Sequence, residues 1–244
     1  MIKNAAHALR RLRENRRLVP IRLRSRCLRS RMIRDYMADH VVRKLHIGCS
    51  DHVLPGWLNG DLAPVVDGVI YLDATDQLPF EDGQFDRVFS EHMIEHITYE
   101  DGASMLRDCF RVLKPGGRLR ISTPDLSFLV DLHRIDKSAI QREYVAWAGA
   151  VHGAVPHVNG AEPTRGHETF VINNFFRAWG HRFIYDEATL RAALDHAGFE
   201  SVVRCAVNES GDVLLQGLEN DRRMPDGFLA LETLTLEGTR RPGR

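Results

Sequence analysis

Three short segments place small or acidic residues at the ends of apolar runs, where their chemistry suits a nucleoside ligand. Gly48-Cys49-Ser50 follows the run 45–47, and a turn of small residues lets backbone amides approach negative groups of a ligand. Asp61 ends the next run, where a carboxylate can accept hydrogen bonds from both hydroxyls of a ribose. Asp73 ends the third, where it can accept from the exocyclic amine of an adenine, with Leu62 and Ala74 flanking the ring. Each feature alone is a common turn or cap, but three at successive strand ends predict one binding rim.

His92 and His96 follow the fourth apolar run and are candidate catalytic bases. Imidazole titrates near neutral pH, so either could remove a proton from a bound nucleophile, and either could equally brace the turn. The run His92-Met93-Ile94-Glu95-His96 also fits HxxEH, which in one class of zinc peptidases puts two imidazoles on one helical face. Further candidates in the later part of the chain are His152, His157, His167 and His181.

The elements that must position these residues alternate between short apolar runs and helical segments. This pattern is typical of an α/β fold, with a parallel sheet covered by helices. We predict strands over 44–47, 57–61, 68–73, 85–90 and 118–122, helices over about 103–113 and 186–196, and final strands over 201–207 and 231–240 that could pair as an edge hairpin. Only 13 positions separate Gly48 from Asp61, so the helix between the first two strands must be a single turn or absent.

Charge divides the chain into two parts. Residues 1–44 hold 14 Lys or Arg and three acids, a net charge of +11, whereas the whole chain is neutral. We predict a basic arm over 1–43, divided by Pro20 and helical near 30–42, with little fixed structure before the proline. A single domain then covers 44–244, and its span 124–182 is an insertion that lies over the carboxyl ends of the strands.

Composition favours a protein of the cytoplasm. No apolar run approaches the roughly 20 residues that span a bilayer, and no secretory signal is recognisable. The four cysteines, Cys27, Cys49, Cys109 and Cys205, form no CxxC pair, which argues against a disulfide framework or a cysteine zinc site.

The segments described above resemble a group of predicted class I S-adenosylmethionine-dependent methyltransferases, the type 11-like group. The likeness is dense from residue 45 to about 125 and is absent from residues 1–44. Its motifs are LHIGCS (45–50), LPGWLNGDL (54–62), DA (73–74) with LPF (78–80), FDRVFSEH (85–92) and RVLKPGG (111–117); GHRFIY (180–185), AGF (197–199) and the stretch 232–240 are also similar.

This resemblance implies a Rossmann-like three-layer sandwich, with a mostly parallel seven-stranded sheet, a C-terminal antiparallel hairpin and the methyl donor S-adenosylmethionine at its carboxyl edge. Gly48 and Ser50 would face the methionyl carboxylate, Asp61 the ribose, and Asp73 with Ala74 the adenine. Ser90 and Glu91 would lie near the amino acid and the sulfonium. Because a sulfonium releases a neutral thioether, the protein must mainly align an acceptor and remove a proton, and we expect no metal.

Two alternatives to an active methyltransferase stay open at this stage. One is a module that binds the donor without catalysis, and the other is the zinc peptidase. The acceptor is not identified by the sequence, although a small molecule, glycan or lipid is favoured over nucleic acid. The basic arm could contact anionic surfaces, or it could be a solvated tail that folds back on the acidic body.

Overall fold

The computed structural model describes residues 18–151 and 167–241, and its centre is one seven-stranded sheet. The strands follow one another in the order β3-β2-β1-β4-β5-β7-β6. Their bounds are Lys44–Ile47 (β1), Leu58–Asp61 (β2), Ile70–Tyr71 (β3), Phe85–Glu91 (β4), Leu113–Pro124 (β5), Phe199–Cys205 (β6) and Thr233–Arg240 (β7). The first five strands run parallel, and β7 is antiparallel to both of its neighbours. The predicted α/β fold with an antiparallel C-terminal pair is confirmed.

The strand register brings the carboxyl ends of β1, β2, β3 and β4 to one rim. Ile47 is opposite Gly60 on one side and Ser90 on the other, and Asp61 is opposite Tyr71. The strand order reverses direction at β1, which is flanked by β2 and β4. In open α/β sheets, the crevice at such a switch point is the usual place for a ligand.

Eight helices accompany the sheet in the described ranges. They are α1 (residues 18–27), α2 (Arg29–Asp39), α3 (Tyr99–Val112), α4 (Leu126–Leu132), α5 (Ala139–Val151), α6 (His167–Arg177), α7 (Glu187–Ala197) and α8 (Phe228–Glu232). Local sequence explains the ends of α3 and α7. The Thr98 hydroxyl accepts from the Asp101 amide, Asp186 accepts from the Thr189 amide, and Gly198 ends α7 with a φ of 102°.

No helix joins β1 to β2, as the short spacing predicts. The side chain of Asn59 holds the connecting loop instead. Its Oδ1 accepts from the Leu54 amide at 2.9 Å, and its Nδ2 donates to the carbonyls of Leu54 and Trp57 at 3.0 Å each. One buried amide therefore fixes a crossover that is too short for a helix.

The two faces of the sheet are covered differently. Val88 packs into the main core under α3 and α7, where Leu106 and Leu194 are fully buried. The next residue, Phe89, points to the opposite face and packs under the loop residues Leu54, Trp57, Leu215 and Leu218. A third cluster lies within α4, α5 and α6 and includes Phe228, so the inserted span has an apolar core of its own.

Buried charges fasten the segment between β6 and β7 to the sheet. Arg120 of β5 is fully buried and donates to Glu219 at 2.6 Å and to Glu237 at 2.7 Å. Its guanidinium also donates to the carbonyls of Ala206 and Glu209. Removing this cation would leave two buried carboxylates without their partner, which is strongly destabilising.

The described part of the basic arm packs against the domain. The Ser25 hydroxyl of α1 donates to the Val69 carbonyl at 2.9 Å, and the buried Tyr36 of α2 donates to the Lys44 carbonyl at 2.9 Å. The helix expected near 30–42 is found as α2. Residues 18–27 are helical and contain Pro20, so the expectation that this proline divides the arm is wrong within the described residues; the arm before residue 18 lies outside them.

Several element boundaries differ from the sequence-based expectation: β3 covers 70–71 rather than 68–73, and β6 covers 199–205 rather than 201–207. The predicted strand over 231–240 begins two residues later, because Phe228–Glu232 forms the short helix α8. Strand β5 begins at Leu113 rather than at 118, and its pairing with β4 shifts register between Phe85 and Arg87, which indicates a bulge in the strand. Within the described ranges, none of the helices combines the length and apolar character needed to cross a bilayer.

Candidate active site

A cavity of about 290 Å³ opens at the carboxyl ends of β1, β2 and β3. We call it the strand-end cavity. Its volume is near the lower end of the range for small-molecule sites, roughly 300–1,000 Å³. The cofactor-binding residues predicted from the sequence that line it are Gly48, Ser50, Asp61, Leu62, Asp73 and Ala74. The structure thus brings the glycine turn and both acidic strand ends into one space.

Gly48 is required by the geometry of the first turn. Its φ of 75° lies in the left-handed region, and a Cβ there would stand 2.3 Å from Met93 Cγ. The amides of Gly48 and Cys49 both donate to the Gly60 carbonyl, at 2.9 and 3.1 Å. The expectation that the amides of this turn point at a ligand is therefore wrong for these two residues, because the neighbouring strand already accepts their hydrogen bonds.

Asp61 both fixes the turn and faces the cavity. Its Oδ2 accepts from the Ser50 amide at 2.9 Å, and its Oδ1 accepts from the Ala63 amide at 2.7 Å. Ser50 has a φ of 48°, a strained value for a residue with a side chain, and the Asp61 contact helps to hold it there. Each carboxylate oxygen can accept more than one hydrogen bond, so both can still receive a ligand hydroxyl.

Asp73 also lines the strand-end cavity and lies just beyond β3. Its Oδ1 accepts from the amide of Thr75 at 3.0 Å and from its hydroxyl at 2.7 Å. These two bonds orient the carboxylate and leave its second oxygen available to a donor group on a ligand. Leu62 and Ala74 stand beside it in the cavity wall, which gives an apolar setting for a flat ring.

Ser90 and Glu91 do not line the strand-end cavity. Ser90 is buried, and the carboxylate of Glu91 accepts from the Asn220 amide at 3.1 Å, lies 3.4 Å from His52 Nδ1 and lies 3.6 Å from Arg223. Burial alone would raise the pKa of Glu91, but its contacts with His52 and Arg223 lower it below the ordinary value. The structure therefore places Glu91 against the segment that follows β6.

A second cavity of about 350 Å³ lies next to the first, and we call it the aromatic cavity. Four aromatic side chains from the inserted span line it, namely Tyr144, Trp147, Phe175 and Trp179. Arg223, Glu95 and Glu232 supply charged groups, and Tyr144 donates its hydroxyl to Glu232. Aromatic side chains offer flat apolar faces to a ring-containing small molecule, and the charged groups and histidines beside them can contact its polar atoms.

His92 and His96 line both cavities. His92 has a φ of 45°, its Nε2 is 3.1 Å from the Thr233 hydroxyl, and its Nδ1 is 3.4 Å from Glu95 Oε1. His96 is exposed, and its ring meets that of His181 edge-on at 4.8 Å between centroids. The two predicted catalytic residues are therefore common to the linings of both cavities.

The HxxEH segment does not adopt the geometry of a zinc peptidase helix. Ile94–His96 is a single 3-10 turn, and His92 precedes it in a left-handed conformation. The two imidazoles therefore do not project from one face of an α-helix, as that class requires. Of the other histidines, His152 and His157 lie outside the described residues, and His181 lines the aromatic cavity.

Part of the chain is similar to known methyltransferases. Residues 59–121, which run from β2 to β5, match the family model described as a methyltransferase domain. The chain is also 30% identical over 141 residues to the ubiquinone/menaquinone biosynthesis C-methyltransferase UbiE of Escherichia coli, with the same identity to that of Proteus mirabilis. The match covers 57% of this chain and 48% of each relative, so the chain spans about half the length of the curated relatives it matches.

Solved structures similar to this chain bear related descriptions. One is an S-adenosylmethionine-dependent methyltransferase from Archaeoglobus fulgidus, 14% identical, with a TM-score of 0.48 over 87% of this chain and 93% of that one. Another is a possible histamine N-methyltransferase from Thermotoga maritima, 18% identical, with a TM-score of 0.45 over 82% of each chain.

Sequence reasoning missed most of the aromatic cavity. Tyr144, Trp147 and Trp179 lie on the inserted span, to which the sequence analysis assigned no aromatic site residue. Arg223 and Glu232 come from the segment before β7. The only signal available was the span's position after β5, where insertions lie over the carboxyl edge of the sheet.

Proposed function

We propose that this chain is an enzyme that transfers a methyl group from S-adenosylmethionine, held in the strand-end cavity, to an acceptor held in the aromatic cavity. The observation that carries the proposal is the meeting of these two cavities at His92 and His96. A donor in one cavity and an acceptor in the other, on either side of these two histidines, would need no rearrangement of the sheet to react. Such alignment supplies much of the catalysis in a reaction whose donor is already activated.

The residues of the strand-end cavity suit the parts of the donor in chain order. Asp61 would accept from the ribose hydroxyls, Asp73 from the adenine amine, and Leu62 with Ala74 would flank the ring. The Ser50 hydroxyl would donate to the methionyl carboxylate beside Gly48. Transfer forms a bond between the acceptor and the methyl carbon and breaks the carbon–sulfur bond, whose electron pair stays on sulfur.

The acceptor we favour is a small molecule with a flat ring. Four aromatic side chains offer it faces and edges, while Arg223 and Glu232 can meet polar groups on its rim. Any proton it loses would go to one of the two imidazoles that adjoin both cavities, His92 or His96. The name of the curated relatives also points to ring-containing acceptors. We place the reaction in the cytoplasm, and we propose that the arginines of the arm contact anionic surfaces.

Donor binding tests the proposal most directly. Isothermal titration with S-adenosylhomocysteine should show binding to the unaltered chain at a 1:1 ratio. Asp73→Ala should weaken it about 10-fold or more, because a charge-assisted hydrogen bond is lost. Asp76→Ala is the matched control, since Asp76 is an exposed neighbour outside the cavity lining, and it should bind as the unaltered chain does. If the unaltered chain does not bind the probe at millimolar concentration, the proposed function is wrong.

Catalysis is tested separately from binding. Labelled S-adenosylmethionine should transfer its methyl group to a member of a panel of phenols, quinols and aromatic amines, and transfer should fall in His92→Ala and His96→Ala. A chain that binds the donor, has an open aromatic cavity and transfers no methyl group to any ring-containing acceptor would support the non-catalytic alternative.

A further inference from the structure

The floor of the aromatic cavity contains a carboxylate that its hydrogen bonds do not satisfy. Glu95 is fully buried, and its Oε2 accepts from the Thr123 hydroxyl at 3.2 Å. Its Oε1 is also buried and has no hydrogen-bond partner in the described structure. Oε1 lies 3.4 Å from His92 Nδ1, beyond good hydrogen-bond geometry. Buried charges in proteins are paired, hydrogen-bonded or bound to a metal, so Oε1 is open to a further cationic partner.

The orientation of His181 suits a metal ligand. Its Nδ1 lies 2.7 Å from the Phe175 carbonyl, so this nitrogen carries the proton and donates it. The Nε2 lone pair is therefore available. Metal-binding histidines are usually held in this way, with the second ring nitrogen donating to a backbone carbonyl or carboxylate.

His96 completes the group. Its ring lies edge-on to that of His181, at 4.8 Å between centroids, and one ligand atom each from Glu95, His96 and His181 falls within 4.8 Å of the others. Ligand atoms about a tetrahedral ion with bonds of 2.1 Å lie about 3.4 Å apart. Because His96 is exposed, its side chain can make most of this adjustment.

We propose that Glu95, His96 and His181 bind a divalent transition-metal cation such as Zn²⁺ or Mn²⁺. Two imidazoles and one carboxylate form a common set of three protein ligands, which leaves coordination positions open for a substrate. All three residues line the aromatic cavity, so those positions face the acceptor. The sequence led us to expect no metal, because the donor is already activated. His181 also lies 85 positions beyond His96, so only the fold brings these ligands together.

The proposed metal ion indicates the chemical class of the acceptor, an inference that rests on the proposed function. An acceptor that ligates the ion through a hydroxyl oxygen would lose its proton to His92 more readily, since the cation stabilises the resulting anion. The methyl group then passes from the sulfonium to the acceptor, and the positive charge of the donor is neutralised. We therefore infer an acceptor with a ring hydroxyl, such as a phenol, rather than an amine.

Cobalt binding tests the site without requiring activity. The chain, freed of any affinity tag, treated with chelator and dialysed, should bind one Co²⁺ and develop visible absorption bands that added Zn²⁺ removes. His96→Ala and His181→Ala should each weaken Co²⁺ binding at least about 30-fold. His196→Ala is the matched control, because His196 is an exposed histidine at the end of α7, and it should bind Co²⁺ as the unaltered chain does.

Glu95 is fully buried and its replacement can prevent folding, so the two histidine variants carry the test. Thermal denaturation and far-ultraviolet circular dichroism establish that they are folded. Absence of saturable 1:1 Co²⁺ binding, or binding unchanged in both variants, overturns the metal site and indicates that Glu95 serves only to pair with His92. Loss of S-adenosylhomocysteine binding in the unaltered chain would instead overturn the proposed function, so the two failures are distinct.

Discussion

The strand-end cavity and the aromatic cavity share two histidines but are assembled in opposite ways. In the first, Ser50 and Asp61 bond to one another across 11 residues of chain, and the glycine turn, Asp61 and Asp73 lie at the ends of consecutive strands. In the second, Tyr144 reaches Glu232 across 88 residues, and His92 reaches Thr233 across 141. One cavity is built from local segments and the other from distant ones.

This difference indicates which functions can be changed independently. The rim of the strand-end cavity is fixed by the register of parallel strands, so it is formed as soon as the sheet is. The aromatic cavity depends on α5, α6 and the segment before β7 finding one another through their own apolar cluster. Substitutions in the first should therefore act on donor affinity, and substitutions in the second on turnover and stability.

Gly48→Ala should have the largest effect on donor binding. The new Cβ would stand 2.3 Å from Met93 Cγ, so Met93 must move within the wall of the strand-end cavity, and the φ of 75° adds strain. We expect affinity for S-adenosylhomocysteine to fall about 100-fold, roughly 2.7 kcal/mol. Isothermal titration measures the change.

Gly68→Ala provides the matched control for Gly48→Ala. Its φ is 89°, equally unfavourable for a side chain, but no atom lies within 4 Å of the added Cβ. Each variant should therefore lose about 1 kcal/mol of stability through backbone strain, while only Gly48→Ala loses donor affinity. Equal affinities in the two variants would show that the close approach at Gly48 has no bearing on the cavity.

The fold was predictable because its signals are local. Periodic apolar positions in α3 and α7, the cap at Asp186 and Gly198, and the short gap between Gly48 and Asp61 each depend on a few neighbouring residues. The bulge in β5 and the helix α8 were missed because strand pairing and tertiary packing, rather than local pattern, determine them.

Only the donor side of the site could be predicted from local signals. The strand ends predicted it, since parallel strands bring their carboxyl ends together whatever conformation the loops adopt. Nothing in the sequence joins His96 to His181 or Tyr144 to Glu232, because each pair meets only after the inserted span has folded. Glu91 was predicted to lie near the sulfonium, but its side chain contacts the segment that follows β6. Successive residues of a strand point to opposite faces, so an error of one position places a side chain on the wrong face.

A second prediction sharpens the comparison through pH. His46 of β1 is buried against Phe89 and Asn59, with His52 and Glu91 as its titratable neighbours, and burial lowers its pKa to about 4. The folded chain thus favours neutral His46, so its stability is complete above the unfolded pKa of 6.5 and falls as the pH drops towards 4. Between pH 7 and pH 5 we expect a loss of about 2 kcal/mol.

Denaturant unfolding at several pH values measures this loss. His46→Gln keeps a side chain that can bond to Asn59 but cannot be protonated, so its stability should vary less over the same interval. If the stability of the variant has the same pH dependence as that of the unaltered chain, groups other than His46 control the loss of stability in acid.

Tyr144→Phe has the smallest expected effect and tests the distant half of the comparison. The substitution keeps the ring that packs on Phe128 and Phe228 but removes the hydroxyl that donates to Glu232, a side chain that is almost fully buried. Burial raises the pKa of Tyr144 well above its ordinary value, so this hydroxyl is a donor at every physiological pH. The variant should lose about 1–2 kcal/mol of stability and part of its turnover, with donor affinity unchanged within about twofold.

The double variant Tyr144→Phe with Glu232→Leu decides between a lost hydrogen bond and an unsatisfied charge. If the cost of Tyr144→Phe comes from leaving the carboxylate buried without its donor, removing both partners should restore much of the stability. Turnover should stay low, because Glu232 is also a wall of the aromatic cavity. Recovery of stability without recovery of turnover would separate the structural role of this pair from its role towards the acceptor. The strand-end cavity does not permit such a separation, because the same Asp61 carboxylate holds the turn and faces the cavity.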